Sequence, residues 1–278
     1  MHLLRCCLIA LTLSSFGGCV SVDTPAGPGT APANSGITLS EADKDAIGRK
    51  IWKNECAGTI EGLTTWNVGE DFPSLGIGHF IWYVEGRPGP FKESFPQLLK
   101  YMQASGVAVP RWVAEAKGSP WKSRSEFESQ KNSPQMKEMR SFLAGTVPAQ
   151  TGFIVQRLEQ ALPLMQRATP DGGDKQRLKE NFYKVAETRT GVYALIDYVN
   201  FKGEGVKAEE KYEGVGWGLR DVLLEMGRSS GGQESANEYS EAAKRVLQRR
   251  IQNSPPSRGE SRWNAGWMNR CESYKHGI

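Results

Sequence analysis

The sequence predicts an α+β protein that is mainly α, with a small β-hairpin or sheet near its N-terminus and a helical body after it. Three observations support this fold class. Apolar residues recur at helical spacing up to Leu63, and short β-prone pieces with Gly and Pro occupy about 60–90. Helical patterns separated by Pro and Gly then run from Phe95 onward. With 278 residues and no repeat of constant period, the chain can bury a sizeable core.

Residues 1–18 are predicted to be a secretory signal peptide. Arg5 precedes a short apolar stretch and a small-residue end, and the apolar run is too short to span a membrane. Cys19 follows the letters FGG, which resembles a bacterial lipobox, where the Cys becomes the lipidated N-terminus of the mature chain. The alternative is plain cleavage and secretion.

Residues 19–36 are predicted to be a flexible tether. This stretch is rich in Pro, Gly, Ala, Ser and Thr and cannot bury a core. A lipid at Cys19, a tether and a domain over 37–278 together predict a protein anchored to a membrane of the cell envelope, in the periplasm, for example at the outer membrane.

The net charge of the chain is +4, without a dense Lys/Arg run. This charge argues against a nucleic-acid partner, and it is compatible with a protein that acts near an anionic polymer.

The cysteines fit an oxidising compartment. Beyond the signal peptide and Cys19, only Cys56 and Cys271 remain, and they can form one disulfide. Such a bond would close a very long loop and contribute about 3–5 kcal/mol. The alternative is a pair of buried thiols. With three His residues and no CxxC or HExxH motif, neither a metal site nor a cofactor is predicted.

Local patterns predict the elements in order. The letters TLSE at 38–41 resemble a capping box, and the apolar spacing from Ile47 to Leu63 predicts a helix of about twenty residues. Glu61 would then lie in its last turn. The pieces TTWNVGEDF, SLGIGHFIWYVEG and RPGPF predict a hairpin or a three-stranded sheet. The helices predicted after it are 95–105, 110–117, 124–131, 134–145, 150–168, 174–188, 190–200, 216–228, 235–252 and 261–274.

One segment carries a resemblance to a known family. The letters EGL at 61–63, then Glu70, then SLGIGH at 74–79, resemble the N-terminal signature of phage-type lysozymes, the endolysins. In that family a helix ends in Glu-Gly-Leu, a small sheet carries an acidic residue, and Thr-Ile-Gly-Ile-Gly-His follows. The strong match covers about twenty residues; ALIDYVNFKGEG, AAKRVLQRR and RWNAGWMNRCESYK match more loosely. The resemblance implies a lysozyme-like fold, with insertions between 84 and 190.

The chemistry explains why carboxyl groups are needed here. Cleavage of a glycosidic bond requires one protonated carboxyl and usually a second, ionised one. The resemblance implies that Glu61 is the proton donor. Its apolar neighbours in the sequence agree with this role, because they would favour the acid form of the carboxyl group. Glu70 would be the second carboxylate, with Asp71 as its rival. Ser74 stands where the family has a Thr that helps to hold the water.

Six further residues are candidates for contact with the substrate, and each has a structural alternative. A histidine at the end of a hairpin can brace the site, a tryptophan is more often core, and the residues before and after Gly203 can belong to the end of a helix. The candidates are Trp66, Asp71, His79, Asn200, Lys202 and Glu204.

The resemblance therefore implies a monomeric lysozyme-like muramidase, a glycosidase that hydrolyses the glycan strands of cell-wall peptidoglycan. Three alternatives stay open. A lytic transglycosylase would use a single catalytic Glu and the sugar's own acetamido group. A non-catalytic lipoprotein would only bind peptidoglycan. Another glycosidase would act on a different polymer, such as chitin.

Overall fold

The computed structural model describes residues 36–278. The predicted signal peptide, Cys19 and the tether up to residue 35 lie outside this range. The helices are α1 (Glu41–Glu55), α2 (Phe95–Ala104), α3 (Arg111–Ala114), α4 (Arg124–Ser129), α5 (Pro134–Gly145), α6 (Val147–Arg167), α7 (Gly172–Val185), α8 (Arg189–Lys202), α9 (Leu219–Glu225), α10 (Gly232–Asn253) and α11 (Asn264–Glu272). None of these helices is long and apolar enough to cross a membrane.

Two small antiparallel sheets accompany the helices. The first has the order β1 (Thr64–Thr65), β2 (Ser74–Leu75) and β3 (Phe80–Ile81), and the second pairs β4 (Lys211–Tyr212) with β5 (Val215–Gly216). The predicted class, mainly α with a small N-terminal sheet, is confirmed. Each helical pattern predicted after residue 95 corresponds to a helix. The β4–β5 hairpin was not predicted, because its two-residue strands are too short to show alternation.

Helix α1 differs from its prediction at both ends. It is capped by Ser40, whose hydroxyl accepts a hydrogen bond from the Asp43 amide at 3.1 Å, and not by a box that begins at Thr38. It ends at Glu55, well before Glu61. The reason is a left-handed turn: Ala57 and Gly58 have φ of 54° and 68°, and the Gly58 amide bonds back to the Trp52 carbonyl at 3.1 Å.

The core is arranged around α8, which is buried over most of its length and contacts α1, α6, α7, α9 and α10. A helix that is buried on most of its sides is a central helix rather than a surface one. Helix α1 lies against α6 so closely that a Cβ at Gly48 would stand 2.4 Å from both Thr151 Oγ1 and Val147 Cγ1. These contacts hold α1 against α6.

A buried carboxylate ties α8 to the C-terminal helix. Asp197, 4% exposed, accepts two hydrogen bonds from the Arg270 guanidinium at 2.7 and 2.8 Å. Its oxygens also accept from the Tyr274 hydroxyl at 2.6 Å and the Tyr193 hydroxyl at 3.2 Å. Every buried charge in this network therefore has partners, which is the condition under which a buried ion pair is tolerated.

The predicted disulfide between Cys56 and Cys271 is wrong, because both residues are buried and the structure does not join them. Cys56 follows α1 and directs its sulfur at the sheet, 3.5 Å from His79 Nε2. Cys271 lies on α11, where its carbonyl accepts a hydrogen bond from Ser240 of α10. The two side chains thus serve the packing of different elements.

Candidate functional site

Glu61 lies in a separate 3-10 turn, Glu61–Leu63, and not in the last turn of a helix. Its carboxylate is exposed, and among residues 36–278 it makes no hydrogen bond or ion pair. The predicted apolar surroundings are absent, because Ile60 is itself 44% exposed, while Leu63 points into the core. The structure therefore presents Glu61 as an available surface carboxylate.

The backbone around Glu61 is held firmly. The Gly62 amide donates to Thr59 Oγ1 at 3.0 Å, and the Gly76 amide donates to the Leu63 carbonyl at 2.8 Å. Arg140 of α5 donates to Thr64 Oγ1 at 2.8 Å. Sequence reasoning did not find Arg140, because nothing in the local pattern of α5 indicates a contact with β1. The exposed carboxylate thus stands on a rigid base.

The turn after β2 is the part of the predicted motif that the structure explains best. Gly76 has φ of 71°, and a Cβ there would lie 2.3 Å from Gln150 Oε1, so the position requires glycine. The same Gln150 oxygen accepts from the Ile77 amide at 2.9 Å. His79 closes the turn with φ of 46°. Gly76 therefore serves backbone geometry.

His79 braces the site from inside. Its ring donates to the Gly62 carbonyl and lies 3.5 Å from Cys56 Sγ. Burial lowers the pKa of His79, and the Gly62 hydrogen bond opposes that shift. His79 therefore joins the Glu61 turn to the Gly76–His79 turn.

The rival acids Glu70 and Asp71 lie between β1 and β2 in different settings. Glu70 is half-buried, and its Oε2 accepts from Asn67 Nδ2 at 3.1 Å. Asp71 is exposed. The pKa of Tyr83 is raised chiefly by burial, and the charges of both acids add to this shift, so both carboxylates act on the Tyr83 hydroxyl. Glu70 is the better oriented of the two.

Ser74 is fully buried in β2, opposite Thr65 and Ile81. Its Oγ has no hydrogen-bond partner among the described residues. Such hydroxyls are rare, and they ordinarily bond to a water or ligand. Ser74, which the resemblance places at the water, is thus enclosed within the sheet.

Trp66 was predicted to contact substrate, and the structure corrects this. The ring is 5% exposed and packs edge-on against Phe127, with 5.9 Å between the ring centroids. Its Nε1 donates to the Glu70 carbonyl at 2.7 Å. A ring covered in this way cannot stack on a sugar, so Trp66 stabilises the loop that carries Glu70.

The candidates at the end of α8 separate into three environments. Asn200 is exposed. Lys202 is 6% exposed, and its Nζ lies 4.0 Å from the Phe201 ring centroid and 3.3 Å from that of Trp267. Burial and the neighbouring Arg250 lower the pKa of Lys202 to about 6. Lys202 is therefore enclosed among aromatic rings, and Glu204 forms a site of its own.

Among the residues that the structure describes, Glu204 is the acidic side chain with the most strongly raised pKa. It is 8% exposed, and its Oε1 is buried without a hydrogen-bond partner in the described chain. Burial raises the pKa of Glu204 to about 7; the charge of Glu210 adds to the shift, while Lys207 and Arg157 oppose it. Glu210 is fixed nearby, because its Oε2 accepts from the Gly205 amide at 2.8 Å and from the Lys207 amide at 3.1 Å.

Glu204→Gln is expected to stabilise the protein at alkaline pH. The folded pKa, about 7, lies above the ordinary value of 4.5, so the folded state binds the proton more tightly and stability falls as pH rises between these values. At pH 8 the neutral amide should raise the free energy of unfolding by about 2–3 kcal/mol. Urea denaturation at pH 4 and pH 8 measures this. A gain of equal size at both pH values would contradict the assignment.

No group of three or more His, Cys, Asp or Glu residues in the part of the chain that the structure describes is placed to hold a metal ion. Comparison of the chain with protein-family models, with curated proteins and with solved structures finds no match.

Proposed function

We propose that this protein cleaves the glycan strands of peptidoglycan as a lysozyme-like glycosidase, with Glu61 as the general acid. The observation that carries the proposal is the direct contact between the two motif segments, residues 61–63 and 74–79. The Gly76 amide bonds to the Leu63 carbonyl at 2.8 Å, and the His79 ring bonds to the Gly62 carbonyl. Glu61 adjoins both anchor points with its carboxylate exposed. A fixed frame beneath an available carboxylate is what positioned acid catalysis requires.

The remaining roles follow from the surroundings. Glu70 is the preferred second carboxylate, because Asn67 orients it and Asp71 is exposed. The role of Ser74 in holding the water is proposed from the resemblance alone, because its hydroxyl is buried in β2.

Lytic transglycosylation is the second candidate. The observation that favours it is that Glu70 Oε2 accepts a hydrogen bond from Asn67 of its own loop at 3.1 Å. If that contact holds Glu70 away from the substrate, Glu61 works as the single acid and the sugar's acetamido group assists.

Digestion of purified sacculi by the full chain tests the proposal, with mass spectrometry of the released muropeptides. Reducing ends are expected if the protein hydrolyses the strand, and anhydro ends if it is a transglycosylase. Binding to sacculi without any product would instead support a wall-binding lipoprotein. Cleavage of chitin with no release from sacculi would contradict the assigned polymer.

A further inference from the structure

A cleft of about 300 Å³ opens between three elements: the loop after α9, one face of α10, and the C-terminal turn Ser273–Lys275. It is lined by Arg228, Glu234, Asn237, Glu238, Glu241 and Lys275. The four lining residues of α10 are three or four positions apart, so they share one face of that helix. The volume lies at the lower end of the roughly 300–1,000 Å³ that is usual for small-molecule sites. The cleft therefore suits a small ligand.

The walls of the cleft are fixed to one another. The Gly227 amide donates to Glu238 Oε1 at 2.8 Å, which ties the loop beside Arg228 to α10. Gln233 Nε2 donates to the Lys275 carbonyl at 3.0 Å, which ties the C-terminal turn to the same helix. Walls that are already in place reduce the entropy lost when a ligand binds.

Some of the charges that line the cleft are already paired. Glu238 Oε1 lies 2.7 Å from Arg245 Nη2, and Glu241 Oε1 lies 2.5 Å from Lys275 Nζ. Each of these carboxylates therefore has a cation beside it. They shape the cleft without requiring a charged ligand.

Two lining charges are left without an ionic partner. The Arg228 side chain is exposed, and within residues 36–278 its guanidinium makes no hydrogen bond or ion pair. Glu234 accepts a hydrogen bond from the Ser230 hydroxyl, but it pairs with no cation in the same range. Arg228 and Glu234 thus line one cleft without neutralising each other.

This arrangement selects a ligand that carries one charge of each sign. A carboxylate can accept two parallel N–H bonds from the Arg228 guanidinium, and an ammonium can donate to the Glu234 carboxylate. A simple anion would lie among the three glutamates of the cleft, and a simple cation would lie beside Arg228. Both would meet a like charge, which is less favourable.

We propose that this cleft binds a small zwitterion, an α-amino acid or a dipeptide, with the ligand carboxylate on Arg228 and the ligand ammonium on Glu234. The site shares no residue with the proposed glycosidase site at Glu61, and binding requires no bond cleavage. It is therefore a function beyond the proposed one.

The test is calorimetric titration of the full chain at low salt with three peptides. Ala-Ala carries both charges, acetyl-Ala-Ala lacks the ammonium, and Ala-Ala amide lacks the carboxylate. Ala-Ala is expected to bind with a Kd of about 0.1–5 mM, and each blocked peptide about fivefold more weakly or worse. No binding of Ala-Ala up to ~20 mM, or an affinity that blocking either end leaves unchanged, would overturn the proposal.

Variants assign each end of the ligand to its partner. Arg228→Gln should bind Ala-Ala as weakly as it binds the amide, and Glu234→Gln should bind Ala-Ala as weakly as acetyl-Ala-Ala. Arg167→Gln and Glu209→Gln are matched controls at exposed positions outside the cleft, and they should bind as the unchanged chain does. Circular dichroism verifies the fold of each variant. A folded Arg228→Gln that still prefers Ala-Ala to its amide would refute the site. Glu61→Gln should bind normally, so a failure of cleavage and a failure of binding are told apart.

Discussion

Glu61→Gln is expected to reduce the release of muropeptides from sacculi by about a thousandfold, because an amide cannot donate the proton that the leaving oxygen needs. The fold should be unaffected. The Glu61 carboxylate is exposed and makes no hydrogen bond or ion pair within residues 36–278, and such surface substitutions change the free energy of unfolding by about 0.5 kcal/mol or less. Product release by chromatography and urea denaturation measure the two quantities.

Glu85→Gln is the matched control, since Glu85 is also exposed. It should retain full activity. Glu204→Gln is a second comparison, because Glu204 has a pKa of about 7, which suits a proton donor near neutral pH. Full activity in Glu61→Gln together with loss in Glu204→Gln would transfer the role of the acid to Glu204. Loss of activity in both would indicate that the two carboxyl groups serve one reaction.

Asp197→Asn is expected to lower the free energy of unfolding by about 3–5 kcal/mol. The amide can still accept from Tyr193 or Tyr274, but it leaves the Arg270 guanidinium partly buried without its main counter-charge. A guanidinium stays charged in proteins, so Arg270 cannot lose its charge to relieve the cost. Urea denaturation of both proteins at pH 7 measures the loss.

Two further variants make this prediction specific. Asp45→Asn removes an exposed ion pair with Arg49, and it should cost about 0.5 kcal/mol or less. In the double variant Asp197→Asn/Arg270→Gln the uncompensated cation is gone, so part of the lost stability should return. If the double variant is no more stable than Asp197→Asn, the cost lies in packing and not in the buried charge.

Much of the helical body follows from sequence because its signals are local. Prolines, N-cap residues and apolar spacing lie within each helix, and for that reason α5, predicted over 134–145, has the bounds Pro134–Gly145. The end of α1 was misplaced because the apolar spacing continues through Ile60 and Leu63. The turn at Ala57 and Gly58 ends the helix. Apolar spacing does not reveal that an Ala adopts a left-handed conformation.

The sequence predicted only those parts of the candidate site that depend on a single local segment of the chain. Gly76 and His79 lie in one short turn, and their positive φ angles there follow from that turn. Glu204 differs, because its raised pKa depends on burial, on Glu210 and on Arg157 of another helix. The exposure of Glu61 likewise depends on how the chain leaves α1. Long-range packing sets these properties, and a local pattern does not contain them.

The network around Asp197 has a consequence for how the chain is made. Its partners Arg270 and Tyr274 are 73 and 77 residues further along the chain. During synthesis, or during passage through a translocation channel from the N-terminal end, the central helix emerges long before the groups that neutralise its carboxylate. The helical body can therefore reach its final packing only when the last helix arrives. A polypeptide cut short before Arg270 would retain an unneutralised acid at its centre and would be a substrate for quality-control proteases.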